Sequence, residues 1–173
     1  MLKLRDLMMP PAGSEVYLAL EWLEGDLHSL IHSSRPLPDE HIQRIVHQML
    51  RGLKAIHAAN VVHKDLKPSN LLVSATCDLR ICNFSAACTG ARGGTQGQLG
   101  ATTAARPRLS EYMSAAEHWY CAPEQLVEET QSCDERLDMW SAALVLAEML
   151  GRKALLQGPA RTRMERMPGP DEL

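Results

Sequence analysis

Apolar residues recur at Ile42, Ile45, Val46, Met49, Leu50, Leu53 and Ile56, the spacing of three and four that turns one side of an α-helix toward a core. Pro38, Asp39 and Glu40 suit its first turn, where a missing N–H does no harm and negative charge meets the positive end of the helix dipole. Asn60 fits a left-handed stop. A second helix is expected from about Glu135 to Leu150, nearly apolar all round from Met139 onward and ended by Gly151. Such a helix belongs in the middle of a larger helical body. Leu2 to Leu7 and Val16 to Glu21 read as short strands on either side of the turn-forming Met9-Pro10-Pro11-Ala12-Gly13, and Trp22 to Leu27 as a connector. Leu71-Leu72-Val73 and Leu79-Arg80-Ile81 form a candidate hairpin. Between it and the second helix, Thr89 to Arg108 is rich in Gly, Ala, Thr and Gln and is expected to be a mobile loop.

Composition changes this picture little. The 173 residues are 45% hydrophobic and 23% charged, enough for one core-forming domain. A net charge of -3 and a pI near 6.2 supply no field to gather nucleic acid or an anionic membrane, so neither is expected as a partner. No apolar run approaches the roughly 18 to 20 residues of a membrane span, and Met1 to Asp6 interleaves charge where a signal peptide would be apolar. A cytoplasmic or nuclear location is the expectation. The five cysteines, Cys77, Cys82, Cys88, Cys121 and Cys133, form no CxxC pair and are odd in number, which fits free thiols better than a disulfide framework. His28 and His32 stand four apart, yet no third ligand lies at a zinc-like spacing, and no zinc site is expected.

The chemistry is concentrated in His63-Lys64-Asp65-Leu66-Lys67-Pro68-Ser69-Asn70-Leu71-Leu72. Phosphoryl transfer to a hydroxyl needs a carboxylate to orient the hydroxyl and take its proton, a cation near the transferred phosphate, and oxygen ligands for magnesium. Asp65, Lys67 and Asn70 have those three chemistries at the spacing of a protein kinase catalytic loop. Trp119-Tyr120-Cys121-Ala122-Pro123-Glu124 resembles the Ala-Pro-Glu element closing a kinase activation segment, and Asp138-Met139-Trp140-Ser141 the start of the helix beneath the catalytic loop. Val16 to Glu21, Asp26-Leu27-His28 and Ala147 to Lys153 look like the MAP kinase branch, and Ser110-Glu111-Tyr112 lies where that branch carries its Thr-x-Tyr pair.

The chain thus resembles a MAP kinase-like serine/threonine kinase from about Leu2 to Gly158. The resemblance implies an α+β fold: last small-lobe strands over 1–21, a hinge over 22–27, and part of a mainly helical large lobe over 28–158, with a Gly/Ala-rich activation-segment insertion near 89–108. The tail 159–173 is expected to be irregular. It implies Asp65 as catalytic base, Lys67 as contact to the transferred phosphate, and Asn70 and Asn83 at the metal positions. Glu21, Leu23, Asn70 and Leu72 would be the cofactor-binding positions, Glu21 and Leu23 offering backbone groups to adenine. ATP and Mg2+ would be the cofactors, proteins the substrates or partners, Ser110 and Tyr112 the phosphosites, and a dual-specificity kinase the upstream activator.

Four departures qualify these expectations. The sequence holds no G-x-G-x-x-G loop, no strand lysine to grip phosphates and no helix glutamate to hold it; it begins at what looks like the fourth small-lobe strand. Asn83-Phe84-Ser85 stands where the family has Asp-Phe-Gly, and a neutral amide attracts a divalent cation less than a carboxylate does. Lys64 replaces an arginine that would grip phosphate with a bidentate fork, and Glu117, His118 and Cys121 replace residues flanking the Trp-Tyr pair. After Gly158 the later large-lobe helices do not follow, so Glu124 is expected as a buried carboxylate lacking its cation and the chain as marginally stable. A pseudokinase binding module and a non-functional remnant therefore stand beside the enzyme as readings, and the chain alone is expected to be inactive.

Overall fold

The long helix forms where the apolar period places it. The structure, a computed structural model, describes residues 1–9, 15–89, 119–127 and 133–157. In it β1 (Leu4–Met8) and β2 (Tyr17–Leu20) pair antiparallel, β3 (Gly25–Asp26) leads into α1 (Leu27–His32), and α2 spans Asp39–Ala58. Short β4 (Val61–Val62) precedes a 3-10 turn at Pro68–Asn70, β5 (Leu71–Val73) and β6 (Leu79–Ile81) make a hairpin, and β7 is Cys88–Thr89. Helices α3 (Pro123–Val127) and α4 (Glu135–Gly151) complete the described elements.

Of the predicted stripe on α2, Ile42, Ile45, Met49, Leu53 and Ile56 are buried, and they pack with Leu27, Ile31, Leu71, Ile81, Val145 and Met149 in one apolar cluster. The left-handed residue after α2 is Asn60 with φ 58°. The strand β3 lies against β5, and β5 against β6, both antiparallel, so the candidate hairpin becomes the central strand and one edge strand of a three-stranded sheet. The strand β4 pairs with β7, Val62 opposite Cys88; Thr89, expected in a loop, is therefore in a strand. The rest of the expected loop, together with Ser110, Tyr112, Glu117 and His118, lies outside the described residues.

Several expectations need correction. Gly151 is the last residue of α4, and the left-handed position is Arg152, φ 55°. The helix α4 is not enclosed all round among the described residues. Leu137, Ala142, Leu144, Val145 and Met149 are buried, while Met139, Trp140 and Leu150 face outward. Its inner face is also partly polar, carrying buried Asp138, Ser141 and Glu148. Glu124 is exposed, so it imposes no buried-charge cost, because α3 turns its first residues to the surface. Cys88 and Cys133 are joined in a disulfide; 45 positions apart in sequence, they could not be recognised as a pair by spacing. His28 and His32 stack ring on ring, centroids 4.3 Å apart.

Gly52 lies on the face of α2 that packs against β6. A Cβ built there would stand 2.7 Å from Ile81 Cδ1, and Ile81 is itself buried. Overpacking of this kind costs about 1–3 kcal/mol, more than the roughly 1 kcal/mol of helix propensity that alanine gains over glycine. Gly52→Ala is expected to lower unfolding free energy by about 1 kcal/mol in urea titration, where a solvent-facing helical glycine would give an increase.

Candidate active site

The loop between β4 and the 3-10 turn is shaped by a residue far away in sequence. Asp138, in the first turn of α4 and fully buried, receives the backbone N–H groups of His63 and Lys64, each at 2.8 Å. His57 Nε2, near the end of α2, lies 2.8 Å from Asp138 Oδ2. One carboxylate thus ties α2, α4 and the loop together. It also accounts for Lys64 at φ 66°, a conformation that costs an L-residue about 1–2 kcal/mol and that here aims its N–H at Asp138 Oδ1.

His63 is buried behind the loop. Its Nδ1 accepts from the Asp65 N–H at 3.3 Å, so Nε2 carries the proton and donates to the Cys82 carbonyl at 2.9 Å. Phe84 meets the same ring edge-on, centroids 4.9 Å apart. His63 therefore couples the loop to the segment carrying Asn83. Burial, with the charge of Asp26 second, pushes the Cys82 thiol above its ordinary value.

On the outer side, Lys67 Nζ stands 3.2 Å from Asp65 Oδ1. The Asn70 side-chain amide donates to Asp65 Oδ2 at 2.9 Å and to the Asp65 carbonyl at 2.6 Å. The structure thus brings Asp65, Lys67 and Asn70 together. The carboxylate is oriented from both sides, by an ammonium and an amide, which leaves it fixed for accepting a proton from a hydroxyl placed before it.

Asn83 sits at φ 63°, a left-handed conformation that asparagine tolerates better than most residues. Its Nδ2 donates to Asn70 Oδ1 at 3.3 Å, and its Oδ1 accepts from the Ser85 hydroxyl at 2.8 Å. A divalent cation needs oxygen atoms converging with negative charge. Here an N–H points at the Asn70 oxygen, and the Asn83 oxygen is engaged by a hydroxyl. These two residues do not fit a divalent cation as they stand, and the Ser85 hydroxyl also occupies the amide.

Glu21 and Leu23 lie before β3, and Leu72 is on β5, directly opposite Asp26. The Glu21 N–H donates to the Lys3 carbonyl at 3.0 Å, and its carboxylate accepts from Arg80 Nε at 3.0 Å and from the Lys3 N–H at 2.9 Å. Burial would raise the Glu21 carboxyl, but the Lys3 amide and the Arg80 guanidinium outweigh it and hold it below its ordinary value. The Glu21 side chain thus fastens the β1–β2 ribbon to β6.

The contacts that sequence reasoning missed lie on α4. Asp138, Ser141 and Glu148, at i, i+3 and i+10, share one helix face. Ser141 Oγ donates to the Tyr120 carbonyl at 2.7 Å, and the Tyr120 hydroxyl donates to Glu148. Burial, then that hydrogen bond and charge, push the Tyr120 hydroxyl far above its ordinary value. Three polar residues on one face of an otherwise apolar helix were the available signal.

This loop, its buried aspartate and the helix beneath it define the large-lobe site of a protein kinase, and the chain belongs to that family: the protein kinase domain model matches residues 2–168. The relatives it is similar to are mitogen-activated protein kinases. It is 42% identical over 161 residues to mitogen-activated protein kinase 4 of Oryza sativa subsp. japonica, covering 90% of this chain and 39% of that protein. Mitogen-activated protein kinase 7 of Arabidopsis thaliana gives the same identity and coverage, and the homolog NTF6 of Nicotiana tabacum is 40% identical over 163 residues, with 91% and 39% covered. The chain spans about two fifths of the length of these relatives. Its fold is α+β and a partial kinase domain, of a family that uses ATP and Mg2+.

The amide pair yields a direct expectation. Asn83→Asp places a carboxylate beside Asn70 and should raise Mn2+ affinity by about tenfold or more, since ligand charge largely sets divalent affinity. Electron paramagnetic resonance of free Mn2+ reads this without any turnover. Equal binding by both proteins would show that position 83 does not face a metal.

Proposed function

We propose that these residues form the catalytic-loop portion of a MAP kinase-like serine/threonine kinase domain, and that the 173-residue chain by itself transfers no phosphate. Asp65 would be the base for a substrate hydroxyl and Lys67 the contact to the transferred phosphate, while Asn70 and Asn83, at the positions where the family holds its metal, are tied to each other here rather than open to a cation. Glu21 and Leu23 would flank the adenine and Leu72 would underlie it; Ser110 and Tyr112 would accept phosphate from an upstream dual-specificity kinase. Protein substrates and a cytoplasmic or nuclear location belong to the same reading. No helix among the described residues is long and apolar enough to cross a membrane.

The observation that carries the reading is the Asp65–Lys67–Asn70 cluster, a carboxylate held between an ammonium at 3.2 Å and an amide at 2.9 Å. Lys67 supplies positive charge where a transferred phosphate would gain it, and the buried His63 holds the backbone of Asp65 in place. The lack of turnover follows from two features of the 173 residues. The 173 residues hold no glycine-rich loop or phosphate-gripping lysine to cover a nucleotide, and an amide, Asn83, stands where the family has its metal-binding carboxylate.

A pseudokinase that binds a protein partner is the second reading. It is favoured by the Asn83–Asn70 hydrogen bond and by the apolar side chains that β1 and β2 expose, among them Leu4, Leu7, Met8, Tyr17, Leu18 and Leu20. Transfer of labelled γ-phosphate from ATP to a generic serine/threonine substrate separates these claims. The purified chain is expected to match the Asp65→Asn background; transfer above that background would overturn the claim of inactivity.

A further inference from the structure

The Cys88–Cys133 bridge joins the strand that pairs with the loop's entry to the residue just before the helix carrying Asp138. Cys88 is in β7, opposite Val62 of β4, and Val62 directly precedes His63 and Lys64, whose N–H groups bind Asp138. Cys133 directly precedes Asp134, which caps α4 by accepting the Arg136 N–H at 2.8 Å. Asp138 follows one turn later. The disulfide and the Asp138 hydrogen bonds are thus two ties between the same elements, one covalent and one polar. Both cysteines are partly accessible, so small thiols and disulfides can reach the sulfurs, and their Cα atoms stand 6.1 Å apart, within the ordinary bridging range. Cys77, Cys82 and Cys121 take no part in the bridge.

We propose that Cys88 and Cys133 form a reversible thiol–disulfide modification site, whose oxidised state fastens the β4–β7 ribbon to the start of α4 and whose reduced state loosens that ribbon. The co-reactant is a low-molecular-weight disulfide. One cysteine thiolate attacks a sulfur of that disulfide, expelling one small thiolate and forming a mixed disulfide. The second cysteine thiolate then attacks the protein sulfur of the mixed disulfide, closing the bridge and expelling the second small thiolate. Two electrons pass from the cysteine pair to the small disulfide, and the two cysteine protons end on the two small thiols. Excess small thiol runs the same steps backward.

The modification acts on the loop through its support. With the bridge closed, β7 cannot leave β4 without moving α4. With it open, the two-residue pairing of β4 and β7 loses its covalent tie to α4, while Asp138 still holds His63 and Lys64. Reduction should therefore loosen the ribbon and leave the α2 core intact, a local opening of the kind that amide exchange resolves.

The full chain is equilibrated in buffers of graded small-thiol to small-disulfide ratio, alkylated, digested and mapped by mass spectrometry, with amide hydrogen exchange run at both extremes. The expected result is a linked Cys88–Cys133 peptide whose fraction follows the ratio with the same midpoint from either direction. Amides of β4 and β7 should exchange about tenfold faster in the reduced state, with those of α2 unchanged. The double variant Cys88→Ser/Cys133→Ser should behave in both buffers as the reduced wild type does. The proposal fails if both cysteines are alkylated at every ratio, if the bridge persists at every ratio, or if ribbon exchange is the same in both states. It also fails if the double variant retains a redox-dependent change in ribbon exchange, since the effect would then arise elsewhere.

Discussion

The described structure depends above all on one buried carboxylate. Asp138 lies with no exposed surface between α2, α4 and the catalytic loop, and takes hydrogen bonds from the His63 and Lys64 amides with His57 at the same distance, 2.8 Å. Removing a carboxylate from water costs several kcal/mol, and hydrogen bonds to a charged group return about 1.5–3 kcal/mol each. Three such bonds are of the same order as the cost, so the charge is tolerated only because all three are made. The consequence is geometric. The loop enters at a fixed angle, Lys64 is held in a left-handed conformation, and Asp65 emerges on the side where Lys67 and Asn70 meet it.

The site is ordered around Asp65 and closed by neutral contacts around Asn83. Asn70 holds Asp65 by a hydrogen bond to the carboxylate and another to the backbone carbonyl, with no substrate needed to form them, which is preorganisation in the usual sense. The same Asn70 presents its carbonyl oxygen to an N–H of Asn83, and Ser85 completes a chain of neutral contacts. Replacing an acid by an amide therefore does more than delete a charge. It supplies a donor that satisfies the Asn70 side-chain oxygen.

What the sequence revealed follows a physical division. The helix α2 was legible because five buried apolar residues recur on one face, and the β5–β6 hairpin because two short apolar runs flank a turn. The cluster of Asp65, Lys67 and Asn70 was legible because its members lie within six positions in the chain. The contacts that hold the cluster were not. Asp138 reaches back 74 and 75 positions to the loop amides, Glu21 crosses 59 positions to Arg80, and Cys88 and Cys133 are 45 apart. No local pattern encodes such pairings. The outward face of α4 was missed for a related reason, since apolar content alone says what a helix can bury and not which neighbours cover it.

Asp138 holds the catalytic loop through the two backbone amides. Amide hydrogen exchange at His63 and Lys64, compared between wild type and Asp138→Asn, tests it most directly, because asparagine keeps one acceptor oxygen and turns a donor toward the other N–H. Both amides should be protected like those of the α2 core in the wild-type chain, and at least one should lose protection in the variant while α2 keeps its own. Exchange of both amides at open-loop rates in the wild type, or unchanged protection in Asp138→Asn, would contradict the account.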